Sequence, residues 1–315
     1  MKVSLITGIN GFVGKHLGLL LKMNGHNVYG TSRQPFIEEM PYSDSQFNLS
    51  FNDKDEIKKL LIRLKPNFIF HLMAQSNVPK SWENPEETNF INVTKTKNLI
   101  EAIIELKSST RIINIGSSEE YGYNRDWKMP IKETYDLFPQ NPYGKSKAAV
   151  SKLIQQYVTE YDLDIIHMRP FNHIGPGQKL GFVVPDFANQ IIQIEAGRRN
   201  PELKVGNLSS QRDFSDVRDI VKGYLLAAEK GRRGQIYNIC SGSPIRIISL
   251  LEKLISFSTA KISYEVDSKL FRPNDIPEYF GDNSKLIEHT EWSPEWSIDD
   301  TLLDTMNYFR DLLKL

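Results

Sequence analysis

The sequence predicts an α/β fold in which a doubly wound parallel sheet carries helices on both faces and a smaller C-terminal α/β lobe follows. Short β-branched runs alternate with longer helical segments over the first half of the chain. A glycine-rich turn also joins the first strand to the first helix. After residue 170 irregular stretches interrupt shorter elements. We therefore expect a cofactor-binding domain at 1–170 and a substrate-binding lobe mainly at 171–315, with some segments returning to the sheet.

Hydrophobic periodicity defines the elements of the first domain. Val3–Thr7 is a short apolar run of the kind that forms a buried parallel strand. Phe12–Met23 repeats apolar residues at helical spacing and ends at Asn24-Gly25. By the same criteria, further strands are predicted at 27–31, 67–72, 111–115 and 164–168, and helices at 53–65, 89–106 and 143–161. Strands separated by helices imply right-handed crossovers and a parallel sheet.

The composition excludes several classes of function. Thirty-nine Lys and Arg balance 39 Asp and Glu among 315 residues, which argues against a strongly basic nucleic-acid binder. The single cysteine, Cys240, excludes an internal disulfide. No apolar run has the length of a transmembrane helix, and the N-terminal apolar stretch is too short for a signal peptide. We expect a cytoplasmic enzyme with no metal, no membrane association and no nucleic-acid partner.

The turn after the first strand has the pattern Gly-x-x-Gly-x-x-Gly, formed by Gly8, Gly11 and Gly14. Glycines allow a tight turn and a close approach of the backbone to a pyrophosphate, whose charge then lies at a helix N-terminus. The strand–turn–helix context predicts a Rossmann-type dinucleotide site rather than an ordinary turn. The remaining predicted contacts of this turn are Asn10, Phe12 and Val13.

The end of the second strand indicates which dinucleotide binds. A site for NAD carries Asp or Glu there, to accept hydrogen bonds from the adenosine ribose. This chain has Ser32 and Arg33 instead, and these can bind a 2′-phosphate. The sequence therefore favours NADP(H), with NAD(H) as the alternative if Arg33 is only a solvated loop cation.

Three residues predict a site for hydride transfer. Tyr143 and Lys147 lie four residues apart at the start of a predicted helix, so both face the same side. A nearby ammonium is expected to lower the pKa of the tyrosine toward neutral pH, which gives a proton donor for a carbonyl oxygen. Ser117, at the end of a predicted strand, can hold the same oxygen with its hydroxyl.

The remaining motifs form an ordered set along nearly the whole chain: residues 71–75, Ser117-Ser118, Arg169-Pro170-Phe171-Asn172, Gly175-Pro176-Gly177, Arg212-Asp213-Phe214, residues 216–219, residues 272–275 and Gly281-Asp282. With the glycine turn and the Tyr-x-x-x-Lys pair, the set resembles the extended short-chain dehydrogenase/reductase family. Members of that family act on nucleotide sugars. The resemblance implies that Ser117, Tyr143 and Lys147 are catalytic and that Lys147 also holds the nicotinamide ribose.

The resemblance also implies which residues contact the cofactor and which contact the sugar nucleotide. For the cofactor they are Asn48, Leu49, Met73, Ala74 and Phe171. For the sugar nucleotide they are Ser118, Asn172, Val183, Lys204, Arg212, Arg272 and Asp275. The two arginines are expected to neutralise phosphates and Asp275 to accept ribose hydroxyls. The alternative is that they are solvated arginines and an acid paired with one of them.

Within the family, the motifs near residues 171–185 and 206–213 most resemble those of enzymes that convert GDP-mannose. The implied reaction is NAD(P)H-dependent reduction of the C4 keto group of GDP-4-keto-6-deoxy-D-mannose, giving GDP-D-rhamnose. The alternative is 4,6-dehydration of GDP-mannose, for which Glu119 is the expected additional acid/base. The turn lacks the Gly-x-Asp-Gly form of those dehydratases, and no tryptophan follows Arg212-Asp213, so the sequence favours reduction.

Two further functions stay open, a UDP-sugar 4-epimerase and a protein that binds NADP(H) without turnover. The resemblance also implies a homodimer, in which the helices at 89–106 and 143–161 pair across a two-fold axis. The apolar positions that the two helices offer for that contact, some of which must face the sheet instead, are Phe90, Val93, Leu99, Ile103, Val150, Leu153 and Tyr157.

Overall fold

The computed structural model describes residues 1–33, 40–271 and 276–314. Its strands are β1 (Val3–Thr7), β2 (Asn27–Ser32), β3 (Ser45–Asn48), β4 (Phe68–His71), β5 (Arg111–Ile115), β6 (Ile165–Pro170), β7 (Asn172–Ile174), β8 (Glu202–Val205), β9 (Gln211–Asp216), β10 (Ile236–Ile239), β11 (Pro244–Arg246), β12 (Ser263–Val266) and β13 (Glu278–Tyr279). Its helices are α1 (Phe12–Met23), α2 (Lys54–Leu64), α3 (Val78–Glu83), α4 (Pro85–Asn89), α5 (Lys95–Glu105), α6 (Pro142–Tyr161), α7 (Val183–Glu195), α8 (Val217–Lys230), α9 (Ile247–Ser256), α10 (Ser284–Thr290) and α11 (Ile298–Leu313). Short turns of other helix types lie at Phe90–Thr94 (π), Ser118–Glu120 and Ser268–Leu270 (both 3-10).

The main sheet has seven strands in the order β10-β6-β5-β4-β1-β2-β3, and every neighbouring pair is parallel. This confirms the predicted α/β class. The chain builds outward from β1 in one direction and then from β4 in the other. In such sheets the crevice at the carboxyl ends of the two central strands is the usual ligand site.

Residues alternate across this sheet, and each face is covered by helices. Ile6, Phe70 and Ile113 pack on one face against α1 and α8. Their sequence neighbours Leu5 and Ile69 pack on the other face against α2, α5 and α6. A sheet that is buried on both faces explains why its central strands are nearly continuous apolar runs.

The second half of the chain forms separate small sheets and also adds to the main one. β9 pairs with β7, β11 and β13, whereas β8 pairs with β12. Their apolar residues share a core with α7, α9 and α11. β10 returns to the main sheet beside β6, and α8 packs against α1.

The apolar positions predicted for a contact between two copies mostly face the sheet of their own chain. Leu99, Ile103, Val150 and Tyr157 are buried in the core beneath α5 and α6, and Val93 and Leu153 are partly buried against it; Phe90, in contrast, is exposed. The sheet therefore takes most of this apolar stripe, because helical periodicity does not say which neighbour a stripe covers, and the homodimer stays a prediction.

None of the helices in the described ranges has the length and apolarity needed to span a membrane.

Candidate active site

The glycine turn closes tightly between β1 and α1. Gly8 has φ of +73° and donates its amide to Thr31 O at 3.0 Å. A Cβ at Gly14 would lie 2.5 Å from Ile9 O, so no larger residue fits there. Gly11 is the N-cap of α1 and gives no side-chain cap, which leaves the amides of the first turn for a ligand. Phe12 and Val13 begin the helix, and the turn therefore fits a dinucleotide pyrophosphate.

The predicted adenosine contacts lie beside this turn. Ser32 ends β2, and its backbone pairs with Asn48 in β3. Leu49 donates its amide to Ser32 O at 3.3 Å, which joins the two strand ends. Arg33 follows and is exposed. Asn10 is held in the turn because its Oδ1 accepts a hydrogen bond of 3.1 Å from Tyr42 Oη.

A polar chain fixes the loop after β4, where Met73 and Ala74 were predicted to line the cofactor. Met73 donates its amide to Thr7 Oγ1 at 3.1 Å. Thr7 Oγ1 lies 2.9 Å from His71 Nδ1, and His71 Nε2 lies 2.8 Å from Thr96 Oγ1. Burial, with the nearby charge of Lys147, lowers the pKa of His71 to about 3. His71 is thus a neutral structural residue that holds the loop.

The predicted catalytic residues converge at the carboxyl end of β5. Ser117 caps a 3-10 turn directly after Gly116, and its hydroxyl is close enough to the Tyr143 phenol to act on the pKa of that group. Asn141 caps α6, and Pro142 takes the first helical position, where both residue types are favoured. Lys147 Nζ donates to Ile115 O at 2.6 Å.

Burial sets the protonation of this group. It raises the pKa of Tyr143, the charges of Glu119 and Glu120 act in the same direction, and the Ser117 hydroxyl opposes them. The expectation that the pKa of Tyr143 is lowered is therefore wrong here, because desolvation of the phenolate is the largest contribution and raises it. Tyr143 keeps its proton at neutral pH, as an acid requires. Burial lowers the pKa of Lys147 to about 8, although Glu120 acts to raise it.

Glu119 lies next to the catalytic helix. Its Oε2 accepts a hydrogen bond of 2.7 Å from Asn141 Nδ2, while Asn141 Oδ1 caps Gly144 N at 2.8 Å. The charge of Glu119 also acts on the Tyr143 phenol. The structure therefore brings Glu119 to the same site as Tyr143, but in contact with the helix cap.

Sequence reasoning missed the role of Glu120. This carboxylate is fully buried and accepts hydrogen bonds from Ser117 N at 2.9 Å and Arg169 Nε at 2.7 Å, with His167 Nε2 also at 2.9 Å. Gly116 allows this arrangement, since a Cβ there would lie 2.1 Å from Glu120 Oε1. The Ser-x-x-Glu spacing from Ser117 to Glu120 is a capping-box pattern, and this signal was present in the sequence.

The predicted substrate residues are more dispersed. Asn172 is exposed at the start of β7, and its Nδ2 donates to Asp213 O at 3.1 Å. Arg212, on the adjacent β9, donates to Gln211 O and to Ile276 O. Ser118 is buried, and its carbonyl oxygen accepts a hydrogen bond from Tyr279 Oη at 2.6 Å. Asn172 and Arg212 thus lie on the paired strands β7 and β9, and Ser118 contacts β13, which also pairs with β9.

The other predicted contacts differ in accessibility. Phe171 is 2% exposed and packs against Tyr279, so its side chain is part of a small core rather than a wall of the open edge. Val183 begins α7 and packs against the core of the second lobe. Lys204 is exposed on β8. Arg272 and Asp275 lie outside the described residues.

The fold and the site together define a class. A Rossmann-type sheet whose carboxyl edge carries a glycine turn and a Ser–Tyr–Lys group is that of an NAD(P)-dependent oxidoreductase of the extended short-chain dehydrogenase/reductase type. A family model described as GDP-mannose 4,6 dehydratase matches residues 5–305. The chain belongs to this family of enzymes acting on GDP-sugars.

Individual relatives include both reductases and dehydratases. The chain is 32% identical over 297 residues to GDP-6-deoxy-D-mannose reductase of Pseudomonas aeruginosa, covering 94% of this chain and 93% of the relative. It is 27% identical to GDP-mannose 4,6-dehydratase of Sinorhizobium fredii, covering 95% and 94%. The solved structure of RMD from P. aeruginosa complexed with NADPH superposes with a TM-score of 0.88 at 30% identity, covering 99% of this chain and 100% of that one.

Proposed function

We propose that this protein uses NADPH to reduce the C4 keto group of GDP-4-keto-6-deoxy-D-mannose to the alcohol of GDP-D-rhamnose. The observation that carries the proposal is the buried, protonated Tyr143 beside Ser117 and Lys147 at the carboxyl edge of the sheet. The similarity to the reductase of P. aeruginosa supports the same reaction. The NADPH in the related structure supports the cofactor.

The residues of the chain divide the work of binding and proton transfer. The amides at Gly11–Gly14 would hold the pyrophosphate of the cofactor, and Ser32 with Arg33 its adenosine end. When bound, the cofactor supplies a hydride. Tyr143 donates its proton to the substrate oxygen, while the Ser117 hydroxyl holds that oxygen in place. The ammonium of Lys147 stabilises the negative charge that develops there.

Substrate binding falls to the segments that lead into the second lobe. We propose that Asn172 and Arg212 contact the sugar diphosphate, since an amide and a guanidinium provide the hydrogen-bond donors that phosphate oxygens require. Ser118, Val183 and Lys204 would complete this side of the site, with Arg272 and Asp275.

A specific observation supports a second candidate, 4,6-dehydration of GDP-mannose. That reaction needs an additional acid/base near the sugar, and Glu119 lies close enough to Tyr143 for its charge to act on the phenol. The contact between Glu119 and Asn141 gives the carboxylate another role, because it supports the cap of α6. We therefore rank dehydration second.

One assay separates the two reactions. Purified protein is incubated with GDP-4-keto-6-deoxy-D-mannose and NADPH, or with GDP-mannose alone, and NADPH absorbance and product are followed. We expect one NADPH oxidised for each keto sugar reduced, and little or no turnover of GDP-mannose. Rapid conversion of GDP-mannose with no reduced cofactor added would replace reduction by dehydration.

A further inference from the structure

Lys95 is a buried cation that has no anionic partner among residues 1–33, 40–271 and 276–314. The residue is 6% exposed, yet its ammonium makes no hydrogen bond or ion pair with the described part of the chain. Its Nζ lies 5.5 Å from the centre of the exposed Phe90 ring, and a cation–π contact replaces only part of the lost hydration. By contrast, the ammonium of Lys147 donates to a backbone carbonyl. A buried, unpaired charge is unfavourable, so its presence needs an explanation.

The surrounding contacts place Lys95 at the carboxyl edge of the main sheet. It follows the π-helical turn Phe90–Thr94 and begins α5. The next residue, Thr96, contacts His71 at the end of β4. One turn further, Asn98 Nδ2 donates to Phe51 O at 3.0 Å and Asn52 O at 3.2 Å, in the loop after β3. The first turn of α5 therefore bridges the ends of β4 and β3.

The same region contains Arg33. Leu49 immediately precedes the loop that α5 contacts, and its amide donates a hydrogen bond to Ser32 O. Arg33 directly follows Ser32 in the chain. Burial is the main factor that lowers the pKa of Lys95, and the charge of Arg33 lowers it further. Arg33 also makes no hydrogen bond or ion pair with the described residues. Two neighbouring cations that repel each other and lack an ionic partner in the described part of the chain favour an anion of more than one charge.

We propose that Lys95 and Arg33 together bind a phosphate monoester, the 2′-phosphate of NADP(H). The inference rests on the proposed cofactor site, in which the adenosine end lies beside Ser32. Arg33 reaches the phosphate from the end of β2 and Lys95 from α5, so that one dianion meets two cations. The pyrophosphate, which NADH shares, is provided for separately by the glycine turn. Lys95 is therefore a determinant of the preference between the two cofactors.

Binding measurements on Lys95→Met test this assignment. The variant keeps the length and apolar stem of the side chain and removes only the charge. Dissociation constants for NADPH and NADH, which differ only in the 2′-phosphate, are measured by calorimetry without any sugar. We expect NADPH to bind at least about tenfold more weakly, on the scale of a hydrogen bond to a charged group, and NADH to bind as before. Lys97→Met is the matched control, because Lys97 is exposed on the same helix beside Glu101.

Two other results would overturn the assignment. Equal weakening of both cofactors would assign Lys95 to the pyrophosphate or to the fold, and no change in either would leave it without a part in binding. A second readout is the thermal stability of the free protein. Removing an unpaired buried charge should raise the melting temperature of Lys95→Met, whereas a structural lysine would lower it. Because no sugar is present, a failure of the proposed reduction does not affect these outcomes.

Discussion

Two regions at the carboxyl edge of the main sheet differ in how their charged side chains are paired. At the end that carries Tyr143, Lys147 donates a hydrogen bond to Ile115 O. Nearby, Glu120 accepts a hydrogen bond from Arg169 and lies within hydrogen-bond distance of His167. At the adenosine end, Arg33 and Lys95 have no hydrogen-bonding or ionic partner within the described chain. The protein itself thus fixes the groups that are proposed to transfer the proton, whereas we propose that a bound cofactor completes the adenosine end. Such preorganisation is what electrostatic catalysis requires.

We expect the largest effect from a substitution that removes one partner of the buried ion pair between Glu120 and Arg169. Glu120→Gln removes the charge that compensates the buried Arg169 guanidinium while it keeps the shape of the side chain. Losing one partner of a buried ion pair costs about 3–5 kcal/mol, and we expect that loss in the free energy of unfolding measured with urea. Glu229→Gln is the control, since Glu229 pairs with Lys2 at the surface, where pairs contribute about 1 kcal/mol or less. Equal effects of the two substitutions would contradict the comparison.

Tyr143→Phe tests the acid itself. The change keeps the ring and removes the phenolic proton, so turnover should fall at least about a hundredfold, the usual scale for a positioned acid. Cofactor binding should stay close to that of the wild type, which separates a chemical defect from a folding defect. Near-normal turnover would exclude Tyr143 as the proton donor.

The pH profile tests Lys147. Since burial lowers its pKa to about 8, the free enzyme loses this ammonium as the pH rises through that value. If the charge stabilises the developing oxyanion, kcat/KM for NADPH should fall about tenfold per pH unit on the alkaline side. Because the pKa of Tyr143 is raised, loss of its proton does not lower kcat/KM at a pH below that of Lys147. A profile that stays flat well above pH 8 would remove Lys147 from charge stabilisation.

Glu119→Gln is expected to have the smallest effect. The amide can keep a hydrogen bond with Asn141, so the cap of α6 should persist and the KM for the keto sugar should change more than kcat. A large fall in kcat with unchanged KM would instead make Glu119 part of the chemistry. Any slow turnover of GDP-mannose should disappear in this variant.

The sequence predicted the central strands and first helix well because their patterns have one physical interpretation. Val3–Thr7 and Phe12–Met23 have the predicted boundaries, since burial on both faces and a glycine turn leave little choice. β3 was not predicted, because Ser45–Asn48 is short and polar, as an edge strand can be. β10 was not predicted either, since the segment Ile236–Ile239 lies within the irregular second half.

Within the site, motifs predicted which residues meet but not their electrostatics. The spacing of Tyr143 and Lys147 indicated a shared helix face, yet the pKa of Tyr143 depends on burial, which no local pattern reveals. Glu120 and Lys95 would both be assigned to solvent from their residue types. Their burial follows from the packing of α5, α6 and β6, and these contacts are distant in sequence.

The central claim, reduction at C4 with a proton from Tyr143, is tested most directly by following an isotope. NADPH deuterated at the transferable C4 position is supplied with GDP-4-keto-6-deoxy-D-mannose, and the product is examined by mass spectrometry and NMR. We predict one deuterium at C4 of the sugar for each cofactor oxidised. In a parallel reaction, GDP-mannose deuterated at C4 should remain unconverted. Movement of that deuterium from C4 to C6 of the sugar, without net oxidation of NADPH, would contradict the account and establish the dehydratase.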